Sequence, residues 1–231
     1  MSVFARMGNV FVSPDKCFTS IRDEGTKWTD FVIPIVLLLA MVIVFMMLTG
    51  EMMAEVQKDT IMKMEQYTPE QKEMIIQQSS SSLAKTIGIV TAALASIVTA
   101  LLGALIMMIV GNFIGGGQQK YGVLLATALY VQLISIPESI IKIFLVLQKE
   151  TMNVYLGLAS LIQNPDTSSF GFNFLAQFEF FKIWRIIVWV VAFKVLYKYS
   201  GKKATLLVVI TMLIGMLATA AWTSFNRGRM G

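Results

Sequence analysis

The sequence predicts an all-α fold: a polytopic membrane helix bundle with five transmembrane helices and an N-terminal interfacial helix. Three observations lead there. Hydrophobic residues make up 56% of the 231 residues and charged residues only 14%, whereas soluble domains carry roughly a quarter charged residues. The apolar residues fall in runs long enough to cross a hydrocarbon core, which takes about 20 helical residues. The basic residues, net +5 with pI near 9.3, sit at the ends of those runs, as interface anchors do. They form no contiguous basic face with interleaved aromatics, so no nucleic-acid partner is expected. Residues 1–231 read as one membrane domain in contact with the lipid bilayer.

Each element follows from local pattern. Residues 1–30 are polar and mixed in charge, with no short apolar core before a small-residue cleavage site, so no cleaved signal peptide is expected. Ser13-Pro14-Asp15 reads as a helix start, Ser13 capping and Pro14 at the first helical position. Cys17, Phe18 and Ile21 then share one face, predicting a short helix on the membrane surface. The first span is predicted at 31–48, with Trp28 at the interface before it and Pro34 near its start.

A polar helical excursion is expected over 49–86. Thr68-Pro69-Glu70-Gln71 has a capping-box pattern, which starts a second short helix. Met52, Met53, Met62, Met64 and Met74 give the excursion a soft apolar side, suited to packing a helical hairpin or to binding. The second span is predicted at 87–110. On it Gly88, Ala92, Ser96, Ala100 and Ala104 recur every fourth residue and make a small-residue packing face. Lipid supplies no hydrophobic drive for helix association, so close backbone approach must supply the contact. That face could meet this chain or another.

Gly111-Asn112-Phe113-Ile114-Gly115-Gly116-Gly117 reads as a tight turn. A phosphate loop would need a preceding strand and a following Lys-Ser/Thr, and neither is there. The third span, 122–147, carries Pro137, which should kink it. The fourth is predicted at 175–197, after an exposed loop turning at Asn164-Pro165-Asp166. A basic turn, Lys198–Lys203, leads to the fifth span, 204–222, and a tail with Arg227 and Arg229. With the N-terminus inside, inner segments carry eight Lys/Arg and outer segments seven. The concentrated basic turn favours the cytoplasm for itself and the N-terminus, and the outside for the C-terminus.

Ionisable residues inside a span are costly and mark functional candidates. Glu138 and Lys142 lie one turn apart on the third span. By the 1.5 Å rise per residue, Lys142 comes level with Glu179, and Glu138 with Arg185. An intramembrane charge network of Glu138, Lys142, Glu179 and Arg185 is therefore expected, against the alternative that the lysines snorkel to the interface. Without histidine, and with Cys17 the one cysteine, His or Cys zinc sites and His-dependent nucleophile systems cannot be built. No catalytic residue, metal or cofactor is expected, and the chain does not read as an enzyme.

These segments together resemble the Yip domain family, the Ypt/Rab-interacting integral membrane proteins and their prokaryotic relatives. Val12-Ser13-Pro14 with Phe18 and Ile21 is similar to the family's Pro-x-x-x-Phe segment. Gly115, Gly116 and Gly117 before Tyr121, then a span with Pro137, are similar to its glycine turn and proline-bearing third span. Glu179-Phe180-Phe181-Lys182-Ile183-Trp184 is similar to its Asp-Leu-Phe-x-Ile-Trp segment, with Glu179 in place of the usual Asp. Ser200–Ala204 is similar to its Ser-x-Lys-Ala turn. The resemblance implies five membrane helices, a cytoplasmic N-terminus and a non-enzymatic role. Eukaryotic relatives, linked to vesicle trafficking and small GTPases, usually carry a long polar N-terminal extension. A prokaryotic member in the bacterial cytoplasmic membrane fits this chain better, and some such members look like companions of ABC-type exporters. The leading expectation is a scaffold or accessory subunit that binds other membrane proteins, exporter subunits or itself. The alternative is a small-solute or lipid transporter or binding protein that uses the charged cluster of spans three and four.

Overall fold

The structure, a computed structural model, describes residues 1–230, with the side chains of Arg229 and Met230 outside the description. The tail arginine expected at 229 therefore lies, as a side chain, outside the described residues. Helices make up most of the described residues, and a single isolated bridge between Gly157 and Glu179 is the only extended pairing among them.

Two helices, α1 (Val3–Val12) and α2 (Pro14–Glu24), form an antiparallel hairpin. One surface helix was expected here. The difference lies in α1, whose VFARMGNVFV sequence is apolar apart from Arg6 and Asn9. Pro14 takes the first helical position of α2, but Ser13 caps through its backbone carbonyl and makes no side-chain cap. At the hairpin tip Phe11 meets Trp184 edge-on, with centroids 6.1 Å apart. At its base the Arg22 guanidinium donates to the Val195 carbonyl at 3.2 Å. Trp184 and Val195 are eleven residues apart on one helix, about 16 Å. The hairpin thus lies along the flank of the bundle, and Val10, Cys17, Phe18 and Ile21 are part of the main core.

Among the described residues four stretches are long and apolar enough to cross a membrane, by length and composition: Thr29–Lys63, Ser82–Ile114, Tyr121–Lys149 and Gly201–Gly228. The first is a single helix, α3 (Thr29–Lys63), of 35 residues. Its length of about 52 Å exceeds the roughly 30 Å hydrocarbon core, so the first half of the expected polar excursion continues the span helix. Thr68 opens α4 (Pro69–Ser79) with a complete capping box: its hydroxyl accepts from the Gln71 amide at 3.3 Å, and the Gln71 side chain accepts from the Thr68 amide at 2.9 Å. Ser81 caps α5 (Ser82–Ile109), which runs into a π-helical turn over Val110–Ile114.

The third stretch is broken. α6 (Tyr121–Gln132) ends, and α7 (Ser135–Lys149) begins after two intervening residues. A proline cannot donate its amide and clashes with the carbonyl four residues back. For Pro137 that carbonyl is Leu133, which instead accepts from the Ile136 amide at 3.0 Å. The expected kink is therefore a break, placed one turn before the proline.

The predicted fourth span does not start at 175. α8 (Phe170–Leu175) is a separate short helix, and α9 (Phe180–Tyr197) follows after a turn. Gly157 sits against that turn, where a Cβ would overlap the Phe178 carbonyl, and Leu158 donates to the same carbonyl at 3.2 Å. α9 has 18 residues and includes Lys182, Arg185 and Lys194, so composition alone does not mark it as a span. The chain ends in α10 (Gly201–Met230). The core gathers α1, α2, α5, α6, α9 and α10 around Leu124, Tyr130, Phe181, Val188 and Phe193.

Candidate functional site

The break between α6 and α7 opens the bundle. Gln132 ends α6 and Ser135 begins α7, so both lie where the helix ladder is interrupted. Two cavities flank this point. One of about 420 Å³ lies among α5, α6, α9 and α10, with Val131, Lys182, Ile186, Trp189 and Met212 on its walls. The other, about 390 Å³, lies among α3, α5, α7 and α9, with Phe45, Ser96, Ser139 and Lys142 on its walls. Gln132 and Arg185 line both.

The ionisable residues of α7 and α9 meet here. The Lys142 amine lies 2.9 Å from Glu138 Oε1 and 2.9 Å from Glu179 Oε2. Arg185 Nη2 lies 3.2 Å from Glu138 Oε2. The structure thus brings Glu138, Lys142, Glu179 and Arg185 together, with Glu179 placed by the bridge to Gly157 and by the Leu156 amide donating to its Oε1 at 3.4 Å. The cluster is not saturated. Glu138 Oε2 is buried and accepts no hydrogen bond, since the nearby guanidinium is poorly aligned to donate. Lys182, absent from the expected set, donates to the Gln177 side chain and faces no carboxylate within ion-pair distance among the described residues.

The small-residue face of α5 is used within the chain. Gly88 faces the Met46 side chain of α3. Ala92 and Ser96 face the cavity shared with α3 and α7, and Ala100 and Ala104 are buried against the core.

A second polar centre went unread in the sequence. Arg6 is 1% exposed. It donates to Ser20 Oγ at 2.9 Å, the Ser20 carbonyl at 3.1 Å, the Gly25 carbonyl at 3.0 Å and Asp30 Oδ2 at 2.9 Å. Tyr130 donates to the other Asp30 oxygen at 2.5 Å. One signal pointed to this pair: Arg6 is the one cation of an apolar helix, and Asp30 is the one carboxylate at the edge of the first span.

The glycine turn is packed on aromatic rings. A Cβ on Gly111 or Gly117 would overlap the Tyr197 ring, and one on Gly115 would overlap Tyr199. Gly116 has φ +71°, a left-handed conformation suited to glycine. Tyr197 donates to Asn112 Oδ1 at 2.9 Å, Tyr199 to the Gly111 carbonyl at 2.6 Å and Lys203 to the Gly115 carbonyl at 2.6 Å. Tyr199 and Lys203 fix the turn through two of its backbone carbonyls, and Tyr197 through the Asn112 side chain. Of the other motif residues, Pro14 starts α2, Phe18 is fully buried, Pro137 lies beside the helix break and Trp184 stacks on Phe181. Among the described residues no group of three His, Cys, Asp or Glu could hold a metal ion.

The motif residues therefore form two connected assemblies: the glycine turn on its tyrosines, and the proline-broken helix beside the charged start of α9. Neither a curated protein nor a solved structure is found to be similar to this chain. Residues 8–223 match the Yip1 domain, which takes in both assemblies, and the chain belongs to that family of membrane proteins.

Proposed function

We propose that the protein is a non-enzymatic scaffold or accessory subunit of a larger membrane complex, with an ABC-type exporter as the partner class that its family resemblance suggests. We place it in a bacterial cytoplasmic membrane, N-terminus inside and C-terminus outside. The observation that carries the reading is the arm Glu51–Ser79. It is the part of α3 that outruns a bilayer, with α4 folded back on it. No residue of α4 is buried, and Met53, Met62 and Met74 are 36%, 55% and 67% exposed. Methionine suits a surface that adapts to a partner. The small-residue face of α5 is occupied by this chain's own helices, so the arm is the surface left to present.

The test is recovery from native membranes in mild detergent through a C-terminal tag. A stoichiometric partner is expected, and it should be lost when Met53, Met62 and Met74 are all changed to Gln. Recovery of the wild-type protein alone would overturn the reading.

The second reading, a small-solute or lipid transporter or binding protein, is favoured by one observation. Arg185 and Gln132 stand in the wall between two cavities at a broken helix. Polar groups at an interrupted membrane helix suit a ligand site. Flux of a fluorescent lipid or of small anions across reconstituted vesicles tests it, and no flux above protein-free vesicles counts against transport.

A further inference from the structure

Where α7 meets the start of α9, the ionised groups do not balance. Lys142, Lys182 and Arg185 bring three positive charges, and Glu138 and Glu179 bring two negative ones. Lys142 accounts for both carboxylates by direct hydrogen bonds, to Glu138 and to Glu179. Arg185 touches Glu138 Oε2 without a hydrogen bond, and its guanidinium has no other partner among the described residues. Lys182 holds only the neutral Gln177 side chain. Lys182 and Arg185 line the same cavity of about 420 Å³. A net positive charge left in a membrane helix bundle is costly unless something of opposite charge meets it.

Apart from Thr99 and Gln132, the rest of the cavity wall is apolar. Ala128, Val131, Ile186, Trp189 and Met212 line it, and Gly103 leaves open space where a side chain would stand. Two cations at one place and an alkyl-lined wall beyond them match a molecule with one anionic head and a hydrocarbon chain. Lys182 and Arg185 fall about 3 Å and 7.5 Å along the helix from the first residue of α9. With the start of α9 at the membrane surface, both would stand near the level at which phospholipid headgroups meet their chains.

We propose that this cavity is a binding site for one anionic phospholipid. Its phosphodiester is held by Arg185 and Lys182, and part of one acyl chain lies against Val131, Trp189 and Met212. The phosphate oxygens accept from the guanidinium and the ammonium, both suited to the task. A single phosphodiester charge brings the cluster to neutrality. The proposal deepens the second reading by naming the ligand and its seat. It holds whether the lipid is carried or merely kept, and it does not depend on the arm and its partner.

The test is native mass spectrometry of the full chain, delipidated in detergent and titrated with phosphatidylglycerol, phosphatidylcholine or inorganic phosphate. One phosphatidylglycerol per chain should be retained, with phosphatidylcholine held at least about tenfold more weakly: its phosphodiester can reach the same donors, but its quaternary ammonium brings back the positive charge that the phosphodiester cancels. The double variant Lys182→Gln/Arg185→Gln should lose the preference for the anionic lipid. Gly103→Leu fills the cavity from a position with room for the side chain, leaves every charge in place, and should reduce retention of phosphatidylglycerol by a similar factor. Should the double variant fail to fold, Gly103→Leu alone decides. Equal retention of the two lipids by wild type, or undiminished phosphatidylglycerol on a folded Gly103→Leu protein, overturns the proposal. Displacement of the lipid by millimolar inorganic phosphate would assign the site to the free anion and overturn it as well. Loss of lipid binding with partner capture intact would separate this site from the arm, and transport without site-specific retention would separate it from the second reading.

Discussion

Arg6 and Asp30 pair where neither side chain reaches water, and each is also held by neutral groups: Ser20 and Gly25 on the arginine, the Lys27 amide and Tyr130 on the aspartate. Removing one member leaves the other charged, buried and short of a partner, a cost of about 3–5 kcal/mol in soluble cores. Arg6→Met should therefore lower the thermal midpoint of the detergent-solubilised protein sharply. Tyr130→Phe removes one hydrogen bond to a charged group, about 1.5–3 kcal/mol, and should lower it less. Arg6→Met/Asp30→Leu should recover much of the loss, because no unpaired charge remains; thermal unfolding of the four proteins reads the whole series. The cluster at Glu138 obeys the same rule in a wetter place. Glu138→Lys should lower folded yield by facing Lys142 and Arg185 with a like charge, and adding Arg185→Glu should restore part of it. An unrestored double variant would show that this pairing does not hold the helices together. The two clusters differed in legibility. Glu138 and Lys142 are one turn apart, and helix rise alone brings them level with Glu179 and Arg185. Arg6 and Asp30 are 24 residues apart across a turn between helices, so no periodicity connects them.

At the scale of elements, the spans were legible because lipid demands continuous apolar helix, while their ends and breaks were set by contacts remote in sequence. The glycine run reads as a turn, but its requirement for glycine comes from Tyr197 and Tyr199, more than 80 residues away. The break in the third stretch was placed one turn early because a proline frees the carbonyl behind it. The start of α9 was displaced by the Gly157–Glu179 bridge, which draws residues 176–179 out of the helix. The glycine turn yields a test of its own. Gly117→Ala puts a methyl group into the Tyr197 ring. It should cost about 1–3 kcal/mol, as overpacking does, and reduce the monodisperse fraction in size-exclusion chromatography. Tyr197→Ala should open that space but leave Asn112 Oδ1 without its phenol donor. The double variant should then be less unstable than the two single losses added together, since residues in contact are not additive. Additive losses would show that the turn and the ring are not packed as described.

For the whole molecule the side on which the chain ends turns on α9. Its 18 residues reach about 27 Å, close to the hydrocarbon thickness. Its cations need not forbid crossing. Lys182 and Lys194 stand within a turn of its ends and can extend toward the interface, while Arg185 is set against Glu138. α9 also lies between the hairpin and α10, so much of its surface meets protein rather than lipid. If α9 crosses, Ser168 and Lys202 lie on opposite faces of the membrane. The native thiol leaves the measurement clean: Cys17 is fully buried, and burial pushes it up to about 12, so at pH 8 it is neither reachable nor ionised. An impermeant maleimide applied to sealed cells should therefore leave the wild-type protein unlabelled. It should label Ser168→Cys, and label Lys202→Cys only after the membrane is opened. Labelling of both variants from outside would fold α9 back into one leaflet, leave four crossings, and return the two termini to the same side.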